Sequence, residues 1–146
     1  MAGPNEELVR RAVEVINRCE SVDAVMAGLE EQMHPDIELV NPEYAIEGGT
    51  RKGFAGMRTA CENFFDGAGR AATVELEQVY ERGNRVLARY RIHARGSSSG
   101  AEAVSPPLGL VFTIRDGQAV RIEWQYWTDE ILDDFERGAI TASDQA

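Results

Sequence analysis

The chain changes hydrophobic period halfway along: apolar residues recur at helical spacing in the first half and alternate in the second. Leu8, Ala12, Val15/Ile16 and Cys19 give a first helix one apolar stripe. Asn5 is placed to cap it, with Glu6 and Glu7 in the first turn, where the helix dipole favours anions. A second helix restarts at Ser21 or Asp23 and is expected to run to about Met33, burying Val25, Met26 and Leu29, with Pro35 as its stop and His34 at its end. Ile37–Asn41 alternates and ends at Pro42, as a short strand does. A glycine-rich loop over Glu47–Gly53 follows. Phe54, Met57, Cys61 and Phe64/Phe65 then share one stripe of a third helix, ended by Gly67 and Gly69.

Four segments of the second half, Thr73–Tyr80, Arg85–Ala94, Leu108–Ile114 and Gln118–Tyr126, read as strands. Arg82-Gly83-Asn84 and Arg115-Asp116-Gly117 are hairpin turns, the second suited to a type I turn with Gly117 in a left-handed bulge position. Gly96–Gly100 is a hairpin tip, Thr128 a cap for a last helix through Phe135, and the residues beyond Gly138 a frayed tail. Antiparallel pairing across the first hairpin sets Glu77 near Arg89 and Glu75 near Arg91 on a polar outer face, each opposite-charge pair worth about 0.2–1 kcal/mol. His93 shares the parity of those arginines. The other face then carries Val74, Leu76, Gln78 and Tyr80 beside Val86, Ala88, Tyr90 and Ile92, and Leu108, Leu110, Phe112 and Ile114 beside Val120, Ile122, Trp124 and Tyr126. A one-residue slip would expose that whole set, so the register is well specified.

These elements amount to one α+β domain over residues 1–146, with its core over about 6–135: a curved mixed or antiparallel sheet with about three helices on its concave face. A chain of 146 residues buries enough surface to need no staple. Cys19 and Cys61 lack metal-ligand spacing and suit a reducing compartment. The start is short, polar and acidic, and no apolar run approaches a bilayer span, so a cytoplasmic protein without a membrane partner is expected. A net charge of −10 repels a phosphate backbone, which argues against nucleic acid.

An apolar face with a few polar tips has two readings. One is a filled core. The other is a cavity, since Gln78, Tyr80, Tyr90, Trp124 and Tyr126 carry groups that a dry core must satisfy.

The order of elements, with "HPDIELVNP" over His34–Pro42, "GGTRKG" over Gly48–Gly53 and "FTIRDGQAVRIEWQYW" over Phe112–Trp127, resembles the nuclear-transport-factor-2-like superfamily, in its SnoaL-like polyketide cyclase and ketosteroid isomerase-like branch. The resemblance implies a cone-shaped domain with an enclosed pocket, often a homodimer through the outer sheet face. It also implies where a catalytic base would sit: the isomerases' aspartate falls on Asn41, which cannot accept a proton near neutral pH. The isomerases' tyrosine falls near Val13 and their protonated aspartate near Leu108–Leu110. Limonene epoxide hydrolases keep an asparagine at the equivalent of Asn41, but their middle-strand Arg and Asp fall where Arg89 and Arg91 face outward, and their last-strand Asp falls on Trp124 or Tyr126. Matching on "YW" would instead put Trp127 on the inner face through a bulge near Trp124–Gln125.

The leading expectation is a domain that binds a small hydrophobic or ring-containing metabolite without a cofactor or metal. Phe54, Met57, Phe64, Leu76, Tyr90, Phe112 and Trp124 would give the pocket its shape, with Asn41, Gln78 and Tyr126 for polarity. Any chemistry would be acid–base (isomerisation, cyclisation or hydration) and would fall to Asn41 and Glu47. Tyr44 shares the rim loop with Glu47. A non-catalytic carrier or sensor, and a dimeric assembly module whose interior is filled by its own side chains, are the other two readings.

Overall fold

A computed structural model describes residues 3–18, 21–41, 49–68, 72–95 and 102–137. Along the chain run α1 (Pro4–Arg18), α2 (Val22–Leu29), β1 (Met33–Asn41), β2 (Gly49–Lys52), α3 (Gly53–Ala68), β3 (Thr73–Arg82), β4 (Arg85–Arg95), β5 (Glu102–Val104), β6 (Leu108–Arg115), β7 (Gln118–Tyr126) and α4 (Ile131–Glu136). Among the described residues the strands form one seven-stranded mixed sheet in the order β2-β1-β7-β6-β4-β3, with β5 on β4. β1 runs parallel to β7, and every other pairing is antiparallel. None of the described helices is long and apolar enough to cross a membrane.

The helix ends differ from expectation because distant groups decide them. Proline occupies the first position of α1, where a missing N–H costs nothing, and the Glu6 N–H is taken by the Glu81 carboxylate of β3 at 3.0 Å. Asn5 does not cap: its Nδ2 donates to the Gly83 carbonyl. Farther along α1, the Asn17 carboxamide bonds both backbone groups of Val74, donating to its carbonyl at 2.9 Å and accepting from its N–H at 2.7 Å. Ser21 caps α2 as expected, its hydroxyl accepting from the Ala24 N–H. That helix stops at Leu29, however, not Met33. Strand β7 captures the chain there: the Ala119 N–H donates to the Gln32 carbonyl at 2.7 Å, and Met33 pairs with Ala119. Pro35 therefore lies inside β1, tolerated because the β1–β7 register slips between Met33 and Glu38. His34 is not at a helix end; its Nδ1 accepts from the Asp36 N–H.

Two strands, β2 and β5, were not expected. The end of the glycine loop doubles back on β1, pairing Gly49 with Asn41 and Lys52 with Glu38. Gly49 and Gly53 at either end take φ of 116° and 70°, values that side chains oppose. The last hairpin turns on two residues, not a type I turn: Asp116 and Gly117 both have positive φ, and the extra residue lies at Val120. Ala119, not Val120, then packs beneath Ile114.

A second bulge changes one sheet face. Leu76 pairs with Tyr90, but Gln78 pairs with Arg89, so Glu77 is the additional residue and parity inverts beyond it. Val79 turns inward against the core, while Gln78 and Tyr80 turn outward, where the Tyr80 hydroxyl donates to Gln78 Oε1. Glu77 thereby reaches both Arg89 (3.1 Å) and Arg91 (3.0 Å), and His93 meets Glu75 at 2.8 Å, so the expected charged outer face stands.

Helices α1, α2 and α3 cover the concave face. Val9, Val25, Ile37 and Val86 are fully enclosed there, each worth about 1.5–3 kcal/mol when removed from water. Cys61 on α3 is a free thiol against this core, and burial pushes its pKa up to about 11. Cys19 lies outside the described residues. The fourth helix takes the opposite face, where Ile131 and Phe135 bury Leu87 and Val111 beside Tyr80 and Trp127. Gly109 makes this possible, because a Cβ there would lie 2.8 Å from Ile131 Cδ1.

Two outcomes follow. Gly109→Ala should destabilise by about 1–3 kcal/mol in urea unfolding through overpacking. Ile131→Val, which removes Cδ1, should cost about 0.5–1.5 kcal/mol, and the double variant should lose less than the two together. Fully additive losses would place the Gly109 effect elsewhere. Cys61 should also weaken the fold in alkali. Its folded pKa exceeds the unfolded value of 9.0, so its contribution is intact below pH 9 and lost as pH rises through about 11. Urea midpoints measured from pH 8 to 11 should fall less steeply in Cys61→Ala.

Candidate functional site

Strand pairing arranges the concave face in rows across the sheet. Leu39, Ile122, Phe112 and Val86 form one row. Asn41, Trp124, Leu110 and Ala88 form the next, and Tyr126, Leu108, Tyr90 and Leu76 the one after it. Packing loosens along this sequence. The first row is solid core with Met57, so Met57 and Phe112 serve mainly to fill the interior. Phe54, Phe64 and Leu76 are half-buried against that core. Tyr126 at the far end is 49% exposed. Tyr90 and Leu108 are only 7% and 6% exposed, yet lie outside both apolar clusters of described residues.

This end carries the polar groups. Trp124 donates its indole N–H to Asn41 Oδ1 at 2.6 Å, and the Tyr126 ring stands edge-on to Trp124 with centroids 5.7 Å apart. Indole nitrogen is a donor only, so the contact fixes which way the amide points: its oxygen faces Trp124 and its two N–H donors face the other way. Asn41 is therefore held in one orientation. It is unsuited to act as a base on two counts, its amide chemistry and its engaged oxygen. Burial alone raises the Tyr90 phenol well above its usual pKa, with no charge or hydrogen bond contributing. Among the described residues nothing hydrogen-bonds that hydroxyl.

Not every expected residue arrives here. Gln78 is exposed on the outer face, carried there by the Glu77 bulge, and cannot line the concave side. The broken alternation Val74, Leu76, Val79 is the sequence signal for that bulge. Trp127 does not replace Trp124 or Tyr126, because no bulge interrupts β7 there. It lies outward under Arg89, whose guanidinium carbon is 5.2 Å from the ring centroid, and stacks on Tyr80. Tyr44 and Glu47 fall outside the described residues. Among the described residues no group of three His, Cys, Asp or Glu side chains could hold a metal ion. Within β3, β4, β6 and β7, the one carboxylate of described parity on the concave face is Glu81, and it is engaged at the start of α1.

Comparison with known proteins bears on the fold. A SnoaL-like domain profile matches residues 9–122. TerC, solved with polyporic acid, is 25% identical and superposes with a TM-score of 0.67, over 92% of this chain and 99% of that one. A protein described as a SnoaL-like polyketide cyclase from Jannaschia sp. CCS1 is 21% identical, TM-score 0.68, over 95% and 92%. A ketosteroid isomerase-like protein from Catenulispora acidiphila, solved with trimethylamine, is 14% identical, TM-score 0.65, over 87% and 90%. No match was found among curated proteins. With the profile covering most of the chain, the protein belongs to the SnoaL-like domain family, on the nuclear-transport-factor-2-like fold.

Proposed function

We propose that the chain binds a small, largely apolar, ring-containing molecule at the open end of the concave face. The observation that carries this reading is the Trp124–Asn41 contact, which fixes a polar pair beside the Tyr126 ring at the exposed end of the concave face. A few fixed polar groups among apolar and aromatic side chains are what a small-molecule site requires. TerC, of the same fold, was solved with polyporic acid, which supports a ligand of this kind.

Binding is favoured over catalysis by the state of the carboxylates. On the resemblance to the isomerases Asn41 falls at the position of their base and is an amide, and Glu81 is engaged elsewhere. Catalysis, where it occurs, would be cofactor-free acid–base chemistry resting on the Glu47 carboxylate. Leu87 and Val111 lie under α4, so a homodimer through the outer face has the β1–β7 side to use, around Glu38, Val40 and Gln125.

Thermal-shift screening against steroids, terpenoids and polycyclic aromatic ketones tests the reading. A ligand at 100 times its Kd should add about 2.7 kcal/mol and raise Tm. Asn41→Leu should weaken the best ligand about tenfold, the effect of losing one hydrogen bond in a dry site. Absence of any stabilising ligand across the three classes, or unchanged affinity in Asn41→Leu, would count against the site. Turnover of a ligand that Glu47→Gln abolishes would replace the carrier reading with the enzyme one.

A further inference from the structure

The end of β7 joins the two faces of the sheet. Tyr126 and Trp127 are consecutive, so in extended backbone their side chains take opposite faces, and an outward Trp127 keeps Tyr126 inward. Tyr126 closes β7 opposite Leu108, and the Trp127 N–H adds one further bond, to the Pro107 carbonyl at 3.1 Å. The Trp127 ring is fixed on the outer face by Tyr80, Arg89 and α4. Its contact with α4 lies over Gly109: a Cβ there would be 2.8 Å from Ile131 Cδ1 and 3.5 Å from Trp127 Cε3, so both side chains share that space.

The clamp itself is weakly tied down. α4 is six residues long, and no side chain caps its start at Glu130. Among the described residues, the hydrogen bonds and ion pair of 128–137 all stay within that segment. The N–H groups of Ile131, Asp134 and Arg137 donate to the carbonyls of Thr128, Glu130 and Asp133, and the Arg137 guanidinium meets Asp134. Only apolar contact holds α4 to the sheet, through Ile131 and Phe135 on Leu87 and Val111. Against the entropy of ordering the segment, two buried side chains leave docking marginal. A helix this short does not stand alone in water, so letting go and unfolding are one event.

We propose that α4 is a releasable latch: docked, it clamps Trp127 outward and so positions Tyr126 at the open end of the concave face; released, it lets the end of β7 fray and the Tyr126 ring leave Trp124. Ile131 and Phe135 are then positioning residues for an aromatic wall on the far side of the sheet. Thr128, Asp129 and Glu130, all exposed, form the hinge. That this wall belongs to a ligand site rests on the reading above; the coupling between faces does not.

The two tryptophans, one on each face, report the coupling without a ligand. With both replaced by fluorotryptophan, fluorine NMR of the full chain should give two lines, assigned through Trp127→Phe. In Phe135→Ala both lines should move toward their unfolded-chain positions, and in Phe135→Leu both should return most of the way to native. In the native chain, the Asp134 and Arg137 amides should exchange about 100-fold faster than those of Leu87 and Val111. Exchange of α4 as slow as that of β6 overturns the latch. A Trp127 line that moves in Phe135→Ala while the Trp124 line stays overturns the coupling and leaves the binding reading standing. Should Phe135→Ala not fold, the native chain warmed to just below its melting transition decides: the two lines shift together, or the proposal fails.

Discussion

Unequal burial of the two sheet faces is the constraint from which the rest follows. Three helices cover one face and the short α4 only part of the other, so most apolar strand residues belong on the first, and a slip of one residue would turn them all away from it. The structure meets the constraint with two bulges, not with perfect alternation. At Val120 the added residue brings the small Ala119 under Ile114. At Glu77 it does more: Val79 joins the core, Tyr80 and Gln78 leave it, and the carboxylate spans two arginines. Exposed pairs of this kind contribute about 0–1 kcal/mol, so their weight lies in fixing register more than in stability.

The same bulge links the two faces. Tyr80, turned outward, becomes part of the floor on which Trp127, Ile131 and Phe135 settle. Arg89 lies over the Trp127 ring and against Glu77, joining the charged patch to the apolar one. The concave side is relieved of two polar groups that it could not have satisfied cheaply. Of the described polar groups that stay there, Asn41, Trp124 and Tyr90 lie toward one end, and Glu81 is engaged at the start of α1.

Much of this was legible in the sequence. Four long strands, three helices over one face, and the outward arginines and His93 all follow from period, parity and charge. What was not legible depended on partners far along the chain. The early stop of α2 and the strand role of Pro35 come from β7, more than 80 residues on, and the start of α1 is set by Glu81. Strand β2 is too short and polar to show a pattern until β1 pairs with it. Gln78 was misplaced because parity was carried straight through Glu77, although Val79 already broke the alternation. The Asn41–Trp124 contact could not be read from either residue alone; it needed the parallel pairing of β1 with β7.

Asn17 has a consequence of another kind. β3 is at the margin of the sheet, and a marginal strand offers a template on which foreign chains can polymerise. By engaging both main-chain groups of Val74, the Asn17 carboxamide imitates one residue of a neighbouring strand and occupies that template from within. At that one residue the edge of β3 is closed to a foreign strand by a side chain of the first helix.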